Sequence, residues 1–307
     1  MLFFGSGQGL GLGGEWGGAV LLATENAPAG RKAWYGMFPQ LGAPIGFIFS
    51  SGIFLILGVA LTDQQFFSYG WRIPFVASAV LVWVGLYIRL KLTETPDFEK
   101  VMAKNERVRV PLFEVFARHA RPIVLGTLAA ITTFLLFYLM TVFTLSWGTS
   151  VLHYRKTGFQ VAQIISMLFF AMAIPLSAMF ADRYGRGGVL LVATAGVFVF
   201  GLFFSLLFKS GSLALTGAFL AIGMFLMGLT YGPLGTALAE IFPAAVRYTG
   251  SSLAFTLAGI LGASMTPYLA TTLATKHGLP AVGYYLSIAA LITFAALLIA
   301  RNSMRGN

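Results

Sequence analysis

The sequence contains no cysteine, so disulfides and thiolate metal sites are excluded at the outset. Histidine is nearly as scarce. His119, His153 and His277 all fall in polar connections, with no second histidine or carboxylate at a metal-ligand spacing. No metal and no cofactor are therefore expected. Charge is sparse too: 10% of the residues are charged, where an ordinary soluble domain carries about a quarter. A conventional water-soluble surface is excluded by that shortage.

What is present instead is apolar. Hydrophobic residues make up 58% of the 307-residue chain, with 29 Phe, 11 Tyr and 5 Trp, and the mean hydropathy is +0.84. A lipid bilayer is the expected partner, with aromatic rings packing between helices and anchoring at the interfaces. The formal charge of +10 would suggest nucleic acid in a soluble protein, but here the cations sit in short loops between apolar runs. That is the pattern of membrane orientation, so no nucleic-acid partner is expected. No basic stretch precedes the first apolar segment, and the first cation is Arg31, which argues against a cleaved signal peptide.

Crossing a bilayer takes about 20 apolar residues. Nine segments qualify: Leu2 to Thr24, Trp34 to Leu61, Ile73 to Leu90, Ile123 to Trp147, Val161 to Ala181, Val189 to Phe208, Leu213 to Ala239, Ser251 to Thr275 and Ala281 to Ala300. Helix is the assignment, because hydrocarbon offers the backbone no partners and the alternating strands of a barrel are not seen. Only Arg72, Arg155, Lys156, Lys209 and Lys276 fall on one side of these spans, and the other fifteen Lys and Arg fall on the opposite side. The bias predicts a cytoplasmic C-terminus and an outer N-terminus. A charged connection between the third and fourth spans divides the chain. The expected organisation is a partial N-terminal bundle at 1–90, a cytoplasmic linker at 91–122, a six-helix bundle at 123–300 and a cytoplasmic tail at 301–307.

Glycines in the first span recur at four-residue spacing, Gly5, Gly9, Gly13 and Gly17 beside Gly7 and Gly11, which makes smooth helix faces for close packing. Gly9, Gly11 and Gly14 match a dinucleotide-loop string, yet no strand precedes them and the flanks are apolar. Glu15 lies inside this glycine helix, where a carboxylate is costly enough to suggest function. It reads either as a proton carrier or as a structural acid bonded to the helix that bears Gln40. Ala181-Asp182-Arg183-Tyr184-Gly185-Arg186 is a tight charged turn between two spans, able to hold helix ends together and release them. Pro175, Pro233 and Pro267 fall within spans, as candidate helix breaks or ordinary kinks.

The turn from Ala181 to Arg186 resembles the loop motif of the major facilitator superfamily, in the copy between that family's eighth and ninth helices. Glu240-Ile241-Phe242-Pro243 with Arg247 resembles the second-half motif at the end of its tenth helix. Gly13-Gly14-Glu15-Trp16-Gly17-Gly18, Glu25-Asn26-Ala27-Pro28, Gly70-Trp71-Arg72-Ile73-Pro74-Phe75 and Arg247-Tyr248-Thr249-Gly250 are similar to the metabolite:proton symporter family, in its shikimate-like bacterial inner-membrane members. The resemblance covers essentially the whole chain. It implies an all-α membrane protein, a multi-pass inner-membrane transporter of the major facilitator fold lacking the first three of twelve transmembrane helices. A truncated gene, a misassigned start codon and a deliberate cut all fit. Two departures from the family pattern are Gly187, where another basic residue is usual, and the absence of an Arg before the glycine run.

The implied activity is proton-coupled symport of a small polar metabolite, an organic acid or osmolyte, by alternating access, and not an enzymatic reaction. Asp182, Arg183, Gly185 and Arg186, with Glu240 and Arg247 as charge partners, would form the cytoplasmic gate. Glu15, Gln40, Tyr138, Tyr231 and Tyr268 are the candidates for the substrate and proton pathway, core packing being the stronger reading for each tyrosine. Arg72 beside Trp71 reads as an interfacial anchor. The expected partners are the metabolite, protons and lipid, with the chain a monomer. The rivals are a truncated, non-transporting remnant and a membrane enzyme, the latter lacking clustered His, Asp or Cys within the spans.

Overall fold

A computed structural model describes residues 15–91, 118–208 and 211–301, and within them the chain is helical with no strand. The first glycines of the leading span and most of the charged connection lie outside the described residues. α1 occupies 15–25. α2 is Lys32–Ala60, α3 the short Asp63–Ser68, and α4 Ile73–Lys91, entered through a 3₁₀ turn at Gly70–Arg72. After the connection come α5 (Ala120–Tyr138), α6 (Thr144–Ser150), α7 (Lys156–Tyr184), α8 (Arg186–Leu202), α9 (Phe204–Phe208), α10 (Leu213–Ile241), α11 (Arg247–Gly259), α12 (Thr266–His277) and α13 (Leu279–Ala300). Among the described residues, 7 helical segments are long and apolar enough to cross a membrane, and α8 is a shorter apolar helix that α9 prolongs. The described parts of the nine predicted spans are helical apart from single residues at Leu61, Phe203 and Met265.

The helix boundaries follow local chemistry. Thr62 opens α3 with a capping box, its hydroxyl accepting from the Gln65 amide while the Gln65 side chain accepts from the Thr62 amide. Gly185 turns α7 into α8 at φ +87°, a backbone state that residues with a Cβ rarely adopt. At the start of α4 the Arg72 guanidinium lies 4.5 Å from the Trp71 ring centroid, the amphipathic pairing expected of an interfacial anchor. The prolines do not break the helices. Pro175 and Pro233 sit within continuous α7 and α10, and Pro267 occupies the first turn of α12, where its missing N–H costs nothing. The discontinuities lie elsewhere. π-helical turns at Leu139–Phe143 and Ile260–Ser264 interrupt the rods α5–α6 and α11–α12.

Small residues decide how closely the rods approach. In a bilayer no hydrophobic force separates helix from lipid, so close backbone packing carries much of the association. α7 and α10 cross through Gly228 and Gly232. A Cβ at Gly228 would stand 2.6 Å from both the Ala173 Cβ and the Phe170 carbonyl oxygen. Around this crossing lies the core, in which Phe143, Phe159, Phe170, Phe204, Phe208 and Phe219 are fully buried. α4 is the opposite case, with Phe75, Val80, Leu81, Val82 and Trp83 all exposed.

Gly228→Leu is expected to cost about 1–3 kcal/mol through overpacking, read as a lower midpoint of thermal unfolding in detergent. Gly58→Leu, at a site with nothing within 4 Å of a new Cβ, is the control and should leave the midpoint in place.

Candidate functional site

Helices α1 to α4 precede the charged connection and α5 to α13 follow it; α2 packs against α7 and α10, and polar residues stitch these two groups of helices together at one end of that seam. Asp182, in the last turn of α7, reaches across to the start of α2. Its Oδ1 accepts from the Ala33 amide at 2.8 Å and its Oδ2 from the Trp34 amide at 2.9 Å. The first amides of a helix have no partner in their own chain segment, and the helix dipole places partial positive charge there. α2 has no side-chain cap of its own on Arg31. Its cap comes from the other group of helices.

Arg186, the first residue of α8, stands behind Asp182. Its Nη2 lies 3.6 Å from Asp182 Oδ1 and its Nη1 lies 2.7 Å from Glu240 Oε1, in α10. The second contact is an ion pair without hydrogen-bond geometry, and Arg186 Nε and both Glu240 oxygens are buried without a hydrogen-bond partner. This cluster depends on charge balance, because removing one member leaves the others buried and uncompensated. A second tie runs from the end of α1 to the start of α11, where Glu25 accepts from Arg247 Nη1 at 3.1 Å. A third runs from Thr236 Oγ1 to the Lys32 carbonyl at 3.3 Å.

Deeper in the seam the contacts turn aromatic and amide. Trp16 stacks on Phe255 of α11 with ring centroids 3.5 Å apart. Its Nε1 donates to Gln40 Oε1 at 2.9 Å, and Gln40 Nε2 donates to the Tyr231 carbonyl at 3.0 Å. Gln40 is fully buried and joins α1, α2 and α10. Glycines let the helices touch here: a Cβ at Gly17 would collide with the Ser252 hydroxyl, and one at Gly36 with the Thr236 hydroxyl.

Toward the other end, the seam opens into a cavity of about 280 Å³ between α2, α5 and α7. Phe47 and Ser51 line it from α2, Phe137, Tyr138 and Thr141 from α5 and its π turn, and Gln160 and Gln163 from α7. Phe47 meets Phe137 edge to face across the seam at 6.3 Å.

The predicted site residues thus divide. Asp182, Arg186, Glu240 and Arg247 come together in or beside the latch, and Gly185 shapes its turn. Arg183 is not part of the latch. It is one residue round the helix from Asp182, exposed, with its guanidinium 5.2 Å from the Tyr184 ring centroid. Tyr138 lines the cavity, whereas the Tyr231 ring is buried against Phe170 at 5.6 Å. Tyr268 is 71% exposed and joins neither cluster. Glu15 is exposed at the start of the described part of α1, and the bond expected between its helix and Gln40 is made by Trp16 instead. Among the described residues no group of His, Asp and Glu could hold a metal. The reading of the sequence missed Glu25, Gln160 and Gln163 as site residues. Gln163 had a signal, an amide inside an apolar span, but its partners are far away in the chain.

A charge-swap cycle tests the latch. Glu25→Arg and Arg247→Glu, each alone, should open this end of the seam, and the double swap should restore it with a coupling of about 0.5–3 kcal/mol. Because the chain has no cysteine, maleimide labelling of a single Thr24→Cys reporter checks this: faster in each single variant and slowed again in the double.

Comparison with known proteins identifies the family. The family model of the Major Facilitator Superfamily matches residues 1–267. The inner membrane metabolite transport protein YhjE of Escherichia coli (strain K12) is 48% identical over 298 residues, covering 95% of this chain and 68% of that protein. The shikimate transporter of the same organism is 31% identical over 312 residues, covering 97% of this chain and 69% of its own length. Among solved structures, a D-xylose-proton symporter shares the fold with a TM-score of 0.58 at 20% identity, over 92% of this chain and 65% of that one. A multi-pass helical chain, latched at one end of a two-group seam, with relatives that are transporters and not enzymes, belongs to the Major Facilitator Superfamily.

Proposed function

We propose that this protein is a proton-coupled symporter of a small polar metabolite, an organic acid or osmolyte, in the inner membrane. The observation that carries the reading is the asymmetry of the seam: a polar latch closes one end, and a cavity opens between the same two groups of helices toward the other. Alternating access needs that arrangement, because a central site must face one side while the other is shut. The polar members of the latch are charge-assisted hydrogen bonds and ion pairs. Such contacts are discrete and reversible, and they suit a rocking motion better than a permanent interface does.

The excess of Lys and Arg on the latch side supports a cytoplasmic location for Asp182 and for the C-terminus. In that orientation the cavity faces outward, and the two groups of helices act as the moving bodies, with the 91–122 connection between them. The chain works as a monomer in lipid. The names of YhjE and the shikimate transporter support a metabolite as cargo, and the D-xylose-proton symporter supports proton coupling. Glu15 is the proton carrier in this reading, being the acid placed inside the glycine helix beside Trp16, which stacks across the seam.

Uptake into proteoliposomes under an imposed proton gradient is the direct test, with labelled organic acids and osmolytes as cargo. Glu15→Gln should abolish accumulation driven by the gradient while exchange of internal for external substrate continues. An unaltered dependence on pH in that variant removes Glu15 from the pathway, and absence of uptake for every cargo removes the transport reading.

A further inference from the structure

Two polar side chains of the cavity lining have already committed their protons. Gln163 is buried in α7, and its Nε2 donates to the carbonyl oxygens of Met140 and Thr141 at 2.9 and 2.8 Å. Both carbonyls belong to the π turn of Leu139–Phe143, where the regular helical pairing is interrupted. An amide nitrogen carries two hydrogens, and both are used here. The same contacts identify which end of the amide is nitrogen, since an amide oxygen could not donate to two carbonyls. Toward a ligand, Gln163 has only the lone pairs of Oε1 left.

Thr141 is in the same state. Its hydroxyl donates to the Phe137 carbonyl at 2.7 Å, so the Oγ1 of this lining residue has only lone pairs left to offer. Phe47, Phe137 and Tyr138 add aromatic rings, whose faces carry partial negative charge, and the donors of the lining are the Ser51 and Tyr138 hydroxyls and the Gln160 amide, outside the Gln163–Thr141 pair. No Lys or Arg is among the described residues that line the cavity.

We propose that Gln163 and Thr141 form an acceptor-only subsite, which takes the hydrogen-bond-donating end of the substrate, hydroxyl groups or a primary ammonium, and turns a carboxylate away. The transport reading enters only in calling the ligand a substrate. Hydroxyls or an ammonium satisfy the two oxygens and rest against the ring faces. A carboxylate brings further lone pairs to oxygens that have no proton to give, and it loses its water without replacement. For a hydroxy acid the subsite therefore sets polarity: the hydroxyl end enters against α7 and the carboxylate points away. Specificity comes from a built-in mismatch with the wrong end.

Isothermal titration of the purified chain in nanodiscs with three probes tests this. Shikimate carries hydroxyls and a carboxylate, ethanolammonium carries only donors in its charged form beside one hydroxyl, and succinate carries only carboxylates. Shikimate and ethanolammonium are expected to bind and succinate to compete with neither. Thr141→Val removes one acceptor without adding charge and should weaken both by about tenfold, the worth of one hydrogen bond. Gln163→Lys keeps donors for the two carbonyls, since its ammonium has three hydrogens, and should reverse the order in favour of succinate. Succinate binding to the unaltered protein as tightly as shikimate overturns the proposal. So does binding by none of the probes, or binding unchanged in Thr141→Val, which reads the subsite even if Gln163→Lys does not fold. Failure of uptake while the binding order holds overturns the transport reading and leaves the subsite standing.

Discussion

The carboxylate of Asp182 on the first amides of α2 is the contact on which the closed end of this molecule depends. A helix start is an electrostatic site with unpaired donors, and a carboxylate there contributes up to about 2 kcal/mol when partly buried. Most helices are capped from their own flank. Here the cap is lent by the α7–α8 turn, which belongs to the other group of helices, so α2 is fully capped only while the two groups touch. Arg186 adds to this dependence by facing Asp182 and Glu240 at once. Movement of the turn disturbs both the cap and the ion pair.

The rest of the seam is built so that this contact can form. Gly17 and Gly36 have no side chain where Ser252 and Thr236 come against them, and a methyl group at either position would hold the helices apart. Gln40 then spans the gap, accepting from Trp16 and donating to the Tyr231 backbone. Such an amide is worth little if the helices stand an ångström further apart, since hydrogen bonds weaken steeply with distance and angle. Glycine spacing and polar ties are therefore one device. In a lipid environment that combination replaces the hydrophobic force that joins helices in water.

The two π turns have a different role. Each interrupts a long rod, and at the first the Gln163 amide donates to two carbonyls of the turn. In the proposed cycle the outer cavity and the inner latch are separated by the Trp16–Phe255 stack and Gln40, which are the groups that must rearrange for a substrate to pass.

Much of this was legible in the chain itself. Apolar runs of bilayer length fix where helices lie, because a backbone in hydrocarbon has no other way to satisfy its polar groups. Asp182 and Arg186 stood out as a charged turn between two apolar spans, whereas Glu240 and Arg247 entered only through the resemblance to the family's second-half motif. The tyrosines were not separable: Tyr138, Tyr231 and Tyr268 are alike in sequence, yet one lines the cavity, one is buried against Phe170 and one is exposed. Nothing local distinguishes them, since burial depends on which neighbour faces that side of the helix. Arg183 and Asp182 are adjacent in the chain but about 100° apart around α7, so only the rotation of that helix decides which one meets α2. The sequence by itself determined the spans, the expected sidedness and the charged turn, because these follow from the cost of placing charge and bare backbone in lipid. The tertiary structure alone decided that Glu25 takes Arg247, that Asp182 caps α2, and that Gln163 gives up its protons to a π turn. Each of those contacts joins segments far apart in the chain, and their geometry exists only once the helices have packed.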